Sequence, residues 1–275
     1  MEILGVDFSG ARPDNNTWVA RGRLEGRVLV LESCGPVSRS QLSGLLETLP
    51  AEAVAALDFP FSVPLDFARY WMPGARSMPD LWTAAAAMTL GAFMSLRDSY
   101  VARHGEPKRL GDSYHPESYS CLHKVNPNMV PMTFYGMKML AELWPQGCEV
   151  PPLELQNMGK GILLEAMPGA ALRAFGLPFK GYKGGVAALN KRSQILEGLA
   201  RCSGIGLPNL EEFRQLCMAS HDCLDAVVAA VVAALWCTGL DLFRHPETAG
   251  PEAPLAAAAI EGWLYAPVYL PAYSG

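Results

Sequence analysis

Residues 220–236 read SHDCLDAVVAAVVAALW, and no residue in 226–240 carries a charge. A helix so uniformly apolar has no water-facing side and must be covered around most of its circumference. The uncharged run is shorter than the roughly 20 apolar residues of a membrane span, so it reads as a core helix rather than a membrane anchor. Its alanines and valines are small enough to let it lie tightly against a sheet. At its head stand Asp222 and Asp225, three positions apart and so on one helix face. Each also has an ordinary explanation, Asp222 as an N-cap and Asp225 as a first-turn acid favoured by the helix dipole.

The sheet that such a helix requires is written in the opening part of the chain. Residues 3–6 (ILGV) form an apolar run that ends in Asp7 and passes into Ser9-Gly10. Residues 17–24 and 28–33 alternate as strands around a tight Glu25-Gly26 step, where glycine tolerates positive φ. Leucines at helical spacing over 40–49 predict a helix stopped by Pro50, and 53–57 is a short apolar strand ending in Asp58. The order β-β-β-α-β places Asp7 and Asp58 at the C-terminal ends of strands that can lie parallel, the edge where ligand sites gather in such sheets. Another strand, 161–164, ends in Glu165, and a helix fits 187–202. Residues 62–158, with helical segments near 80–103 and 133–144, predict a mostly helical insertion too intermingled with the rest to stand alone. The tail, 255–273, predicts a short helix and an extended segment packed back on the core.

The 275 residues suit one large domain, 1–275, and half of them are hydrophobic with only 18% charged, as expected of a globular core. A net charge of −5 excludes a global basic field for nucleic acid or anionic membrane. Any polyanion needs a local basic patch or bridging cations. Seven cysteines with no CxxC pair predict scattered reduced thiols in a cytoplasmic protein, and MEILGVDF is not a signal peptide.

Asp7, Asp58, Glu165 and the Asp222/Asp225 pair share one feature: each acid ends or heads an apolar element. Clustered carboxylates stay ionised together only when cations neutralise them, and an all-oxygen donor set selects Mg²⁺ or Mn²⁺. Two such ions can clamp the attacking and leaving oxygens of a phosphoryl displacement. On that reading Asp7, Asp58, Asp222 and Asp225 are metal ligands, with Glu165 a further ligand or a water-orienting base.

GVDFSG (5–10), LDFPFSVP (57–64), KVNPNMVPMTFYGMKML (124–140), LLEAMPGAAL (163–172), YKGGVAALNKR (182–192), HDCLDAVVAAVVAAL (221–235) and EGWLYAP (261–267) together resemble the family of predicted ribonuclease H-like nucleases known as domain of unknown function 429. The resemblance implies an α/β, ribonuclease H-like mixed five-stranded sheet flanked by helices, with the insertion added. It also implies two metals held by an aspartate on the first strand, an acid ending the fourth and acids on the last helix. The aspartate pair on that helix is similar to that of Holliday-junction resolvases. The first long helix offers only Glu47 where ribonuclease H proper carries a carboxylate, and Glu165 stands as its replacement.

The expected function is a metal-dependent nuclease or phosphodiesterase acting on nucleic acid, DNA or RNA, by two-metal hydrolysis. Two alternatives remain: an ATP- or small-phosphate-binding enzyme on the same core, or a non-catalytic nucleic-acid-binding or scaffold protein. GVDFSG could serve a phosphate as a loop, making Ser9 a substrate contact. His221 could shuttle a proton, or simply be a solvated helix-start residue. Lys180, Lys183, Lys191 and Arg192 could contact phosphate, or form a solvated charged face. Arg97, Arg103, His104, Lys108, Arg109 and Lys124 lend the insertion basic character. Trp71, Tyr114, Tyr119 and Tyr135 could stack bases, or serve as core. The sequence lacks a Walker A loop, a zinc-ligand spacing and a GxSxG elbow.

Overall fold

The computed structural model describes residues 1–249 and 253–268. The chain opens with β1 (Glu2–Asp7), β2 (Thr17–Glu25), β3 (Val28–Val37), α1 (Arg39–Glu47) and β4 (Val54–Asp58). Between β4 and β5 (Ile162–Glu165) run α2 (Leu65–Trp71), α3 (Met78–Ala86), α4 (Leu90–His104), α5 (Leu110–Ser113) and α6 (Met129–Leu143). After β5 come α7 (Pro168–Ala174), α8 (Ala188–Ser203), α9 (Arg214–Ala219), α10 (His221–Thr238) and α11 (Ala253–Glu261). The strands form one mixed five-stranded sheet in the order β3-β2-β1-β4-β5, flanked by helices. The β1–β2 and β2–β3 pairs are antiparallel, and the β1–β4 and β4–β5 pairs are parallel.

Alternation along the strands assigns the two faces. Ile3, Ala20, Val54, Ala56 and Leu164 belong to a core that includes the whole body of α10. Leu4, Val6, Val19, Ala55, Leu57 and Leu163 belong to a second core, filled from α1 and the insertion. Every residue of α10 from Cys223 to Leu235 is buried. By length and hydropathy this helix could cross a bilayer, yet 72% of its most apolar stretch lies buried within the fold. Its close approach to the sheet depends on Gly5. A Cβ there would sit 2.0 Å from the Ala230 backbone nitrogen and 2.1 Å from the Ala226 carbonyl oxygen, so only glycine fits the crossing.

The insertion shares the second core rather than building its own. Phe59 packs at a tilt against Phe8 and Phe61 at 4.7 and 4.9 Å, and Trp82 Nε1 donates to the Phe61 carbonyl at 2.7 Å. In the same core Phe67 and Trp71 both pack edge-on against Phe93, and tilted against each other. The segment expected near 80–103 is two helices, because Thr89 caps a new start by accepting from the Ala92 amide at 3.2 Å. The helix expected from 133 starts at Met129. Cys34, distant in sequence, meets the Cys217/Cys223 pair: Cys34 Sγ lies 3.0 Å, and Cys217 Sγ 3.6 Å, from Cys223 Sγ, all as free thiols. The tail expectation over 255–273 is represented by α11 and the residues to 268; the remainder lies outside the described residues.

Candidate metal centre

The pleat and register set the site. Asp7 and Asp58 are direct partners across the parallel β1–β4 pair, at its C-terminal end. Each continues the Ile3/Gly5 or Val54/Ala56 side of its strand, so both carboxylates turn towards α10. Asp225, fully buried in the second turn of α10, meets them there. One carboxylate oxygen from each of Asp7, Asp58 and Asp225 lies within 4.8 Å of the others. Ser220, rather than Asp222, is the α10 N-cap: its hydroxyl accepts from the amides of Asp222 and Cys223 at 3.2 and 3.3 Å. Asp222 is thereby released from capping. It stands one turn outward of Asp225, with its side chain 29% exposed and 2.6 Å from His221 Nδ1.

The electrostatics match three acids forced together. Burial, then the charges of Asp225 and Asp58, raise the Asp7 carboxyl well above its ordinary range, with Lys183 opposing. Burial raises Asp58 to about 7 against the pull of Lys183, with Asp225 and Glu165 adding to the rise. Asp222 is also penalised by burial, but His221, Asp7 and Lys183 bring it below the usual carboxylate value. The Lys183 ammonium lies 2.6 Å from Asp225 Oδ2 although its stem is largely in solvent, and Asp225 foremost raises the pKa of that amine. Tyr182 donates to Asp225 Oδ1 at 2.7 Å. Oδ2 is buried without any hydrogen bond of good geometry among the described residues, the lysine contact being one of charge alone. An all-oxygen donor set, a buried carboxylate oxygen without a hydrogen bond of good geometry and clustered acids fit a hard divalent cation such as Mg²⁺ or Mn²⁺.

Several expected contributors stand elsewhere. Glu165 pairs in register with Leu57, one step short of Asp58, so its side chain turns to the opposite face. There it takes two hydrogen bonds from the Arg109 guanidinium, one of them at 2.8 Å, and a third from the Phe61 amide at 2.9 Å. The acid is committed to this buried ion pair instead of the carboxylate cluster. Arg109 also clasps Asp112 through two bonds of 2.9 Å and donates to the Glu261 carbonyl at 3.1 Å. Glu261 in turn accepts from the amides of Leu65 and Leu110, both at 2.6 Å. Insertion, sheet and tail are thus tied at one buried charged hub. Gly262 beside it has φ +75°, where a side chain would be strained and a Cβ would lie 3.2 Å from Glu165 Oε2.

Arg192 is buried, and its guanidinium donates to the carbonyls of Tyr182, Met218 and Lys183 at 2.7, 2.7 and 3.2 Å. It pins the loop that aims Tyr182 and Lys183 at Asp225, and little of its own surface reaches solvent. Ser9 builds the turn after β1: its hydroxyl accepts from the Ala11 amide at 3.2 Å, and its amide donates to Thr17 Oγ1 at 3.1 Å. Trp71 lies among Phe67 and Phe93, Tyr135 lies under Arg39 at 4.2 Å, and Tyr114 under Arg244 at 4.2 Å. Tyr119 differs: it is 65% exposed and stacks on His123. A cleft of about 470 Å³ beside the carboxylates is lined by Asp58, Glu117, Tyr119, Lys180, Tyr182 and Lys183. Sequence reasoning missed Glu117, Asp112 and Tyr182. Only Tyr182 had a signal, as the residue preceding Lys183 in the YKGG stretch.

Residues 140–248 match the family described as "Protein of unknown function (DUF429)". That stretch carries Lys183, Arg192, Asp222 and Asp225 but stops short of the strands bearing Asp7 and Asp58. Searches of curated proteins and of solved structures give no match.

Proposed function

We propose that the protein is a Mg²⁺- or Mn²⁺-dependent nuclease or phosphodiesterase of ribonuclease H-like fold, acting on a nucleic-acid strand. The observation that carries this reading is the meeting of Asp7, Asp58 and Asp225 within 4.8 Å at the C-terminal edge of the parallel strands. The strand order, with two parallel partners beside an antiparallel trio and a terminal helix delivering acids to the same edge, supports the fold assignment.

Asp7, Asp58 and Asp225 would hold the cation, with Asp222 at the rim as the further acid. Such an ion supplies Lewis-acid stabilisation of charge on a phosphoryl group. Lys183 screens the acids before a cation arrives and lies where it can meet a phosphate oxygen afterwards. Arg192 fixes that lysine through the loop backbone. His221, in contact with Asp222 at the mouth, is positioned to accept or return a proton.

The test is cleavage of single-stranded, double-stranded and branched DNA and RNA with Mn²⁺ or Mg²⁺, comparing wild type with Asp7→Asn. The reading expects cleavage that needs the ion and falls at least a hundredfold in the variant. Cleavage of no substrate by wild type, or equal rates for the two proteins, would sink it.

A further inference from the structure

Beyond the carboxylates, Glu117 is a buried acid without hydrogen-bond partners. Its side chain is only 7% exposed, yet neither Oε1 nor Oε2 has a hydrogen-bond partner among the described residues. Arg173 Nη1 approaches Oε2 to 3.3 Å and His115 Nδ1 approaches Oε1 to 4.0 Å, neither as a formed hydrogen bond. Buried carboxylate oxygens left without donors are destabilising, so their retention calls for a donor that arrives from outside. Glu117 lines the cleft that holds Asp58 and also a neighbouring cavity of about 310 Å³. That cavity is lined by Arg173 and Arg244, the guanidinium carbon of Arg244 lying 4.2 Å from the centre of the Tyr114 ring.

We infer that this cavity binds a guanine nucleotide, with the base on Glu117 and its phosphate on Arg173 and Arg244. A carboxylate only accepts hydrogen bonds, and two adjacent oxygens require two adjacent donors. Among the four bases only guanine offers that pair, N1–H and the N2 amino group. Adenine and cytosine place a ring-nitrogen lone pair beside their single amino group, and uracil or thymine flanks its one N–H with carbonyls. A cationic ligand would also satisfy Glu117, but the two arginines repel it. A neutral base joined to an anion fits both ends of the cavity, and arginine forks suit phosphate.

The source is either a free nucleotide or a guanosine within a strand. In the second case the site rests on the nuclease reading and selects guanosine near the bond to be cut, since Glu117 borders both cavities.

The experiment is calorimetric titration of the whole protein in chelator with GMP, IMP and AMP. A single-stranded tetranucleotide containing one guanosine, and its adenosine counterpart, extend the series. GMP is expected to bind at least tenfold tighter than AMP, with IMP, which lacks the N2 amino group, between them. Glu117→Gln should erase that ranking, and Arg244→Ala should weaken all three nucleotides alike. A guanosine tetranucleotide that binds tighter than GMP identifies a strand as the ligand; one that binds no tighter identifies the free nucleotide. Equal affinity for GMP and AMP, no binding of either, or an unchanged ranking in Glu117→Gln would overturn the assignment. Because divalent ions are absent, these outcomes are independent of whether the carboxylate cluster cleaves phosphodiesters.

Discussion

Asp58 carries the main conflict at the scale of single residues. Its carboxyl is raised from 3.8 to about 7 by burial, with the neighbouring acids adding to the rise. A raised folded-state value means that the stability it contributes is complete below about pH 4 and is lost as pH rises through about 7. Asp58→Asn mimics the protonated acid. Without metal at pH 8 it should therefore melt above wild type, by on the order of 2 kcal/mol after allowance for partial exposure, while at pH 4 the two should coincide. Scanning calorimetry at the two pH values measures this, and a variant less stable than wild type at pH 8 would contradict it. The same substitution should abolish stabilisation by Mn²⁺. Arg109 is the reverse case, a cation fully enclosed by Asp112 and Glu165. Arg109→Met leaves both acids buried without their partner and should cost about 3–5 kcal/mol in a urea titration. Asp7 and Asp58 were legible in sequence because a strand ending in an acid at a turn is a local signal. Glu165 carries the same local signal and misled: its face depends on a one-residue register step between β4 and β5, which no local pattern records.

At the scale of elements, α10 against β1 is the contact on which the site depends. The Ala/Val body of α10 and Gly5 opposite it are complementary features, and the first was readable as a tight-packing helix. The partner glycine was not, since nothing within GVDF indicates which helix will cross it. Gly5→Ala places a Cβ about where the Ala230 amide already stands, so the helix must move outward. Overpacking of this kind costs roughly 1–3 kcal/mol or more, and it should also displace Asp225 from Asp7. The variant should show a lowered melting temperature together with loss of any Mn²⁺-induced rise. Retention of that rise would separate the helix crossing from the proposed metal site. Ser220→Ala tests the head of the same helix. Loss of its two capping bonds should cost about 1 kcal/mol, with the acids still present.

The whole molecule is bound together by shared cores. Asp7 and Asp58 come from the opening strands, Asp225 from a helix more than 160 residues later, and Lys183 from a loop pinned by Arg192. The insertion fills one face of the sheet, and the Arg109 hub ties it to β5 and α11. Residues 140–248 alone, the part that matches the family, would leave α10 without β1 beneath it. A fragment of those residues should therefore give the circular dichroism and poorly dispersed NMR spectrum of an incompletely folded chain. A cooperative melt would contradict this account of the core. The order of strands was legible because apolar runs and turns are local. The position of Glu117 was not, because its loop has no periodicity and its burial is imposed by α7 and the tail.

On the proposed reading Asp7, Asp58 and Asp225 together hold one divalent cation. A crystal soaked in Mn²⁺ and measured at the manganese absorption edge decides whether they do. The expected result is an anomalous peak within about 2.0–2.3 Å of one oxygen from each of the three aspartates, with Lys183 displaced from Asp225. Crystals that diffract well and show no manganese among these carboxylates, with the lysine still seated on Asp225, would contradict it.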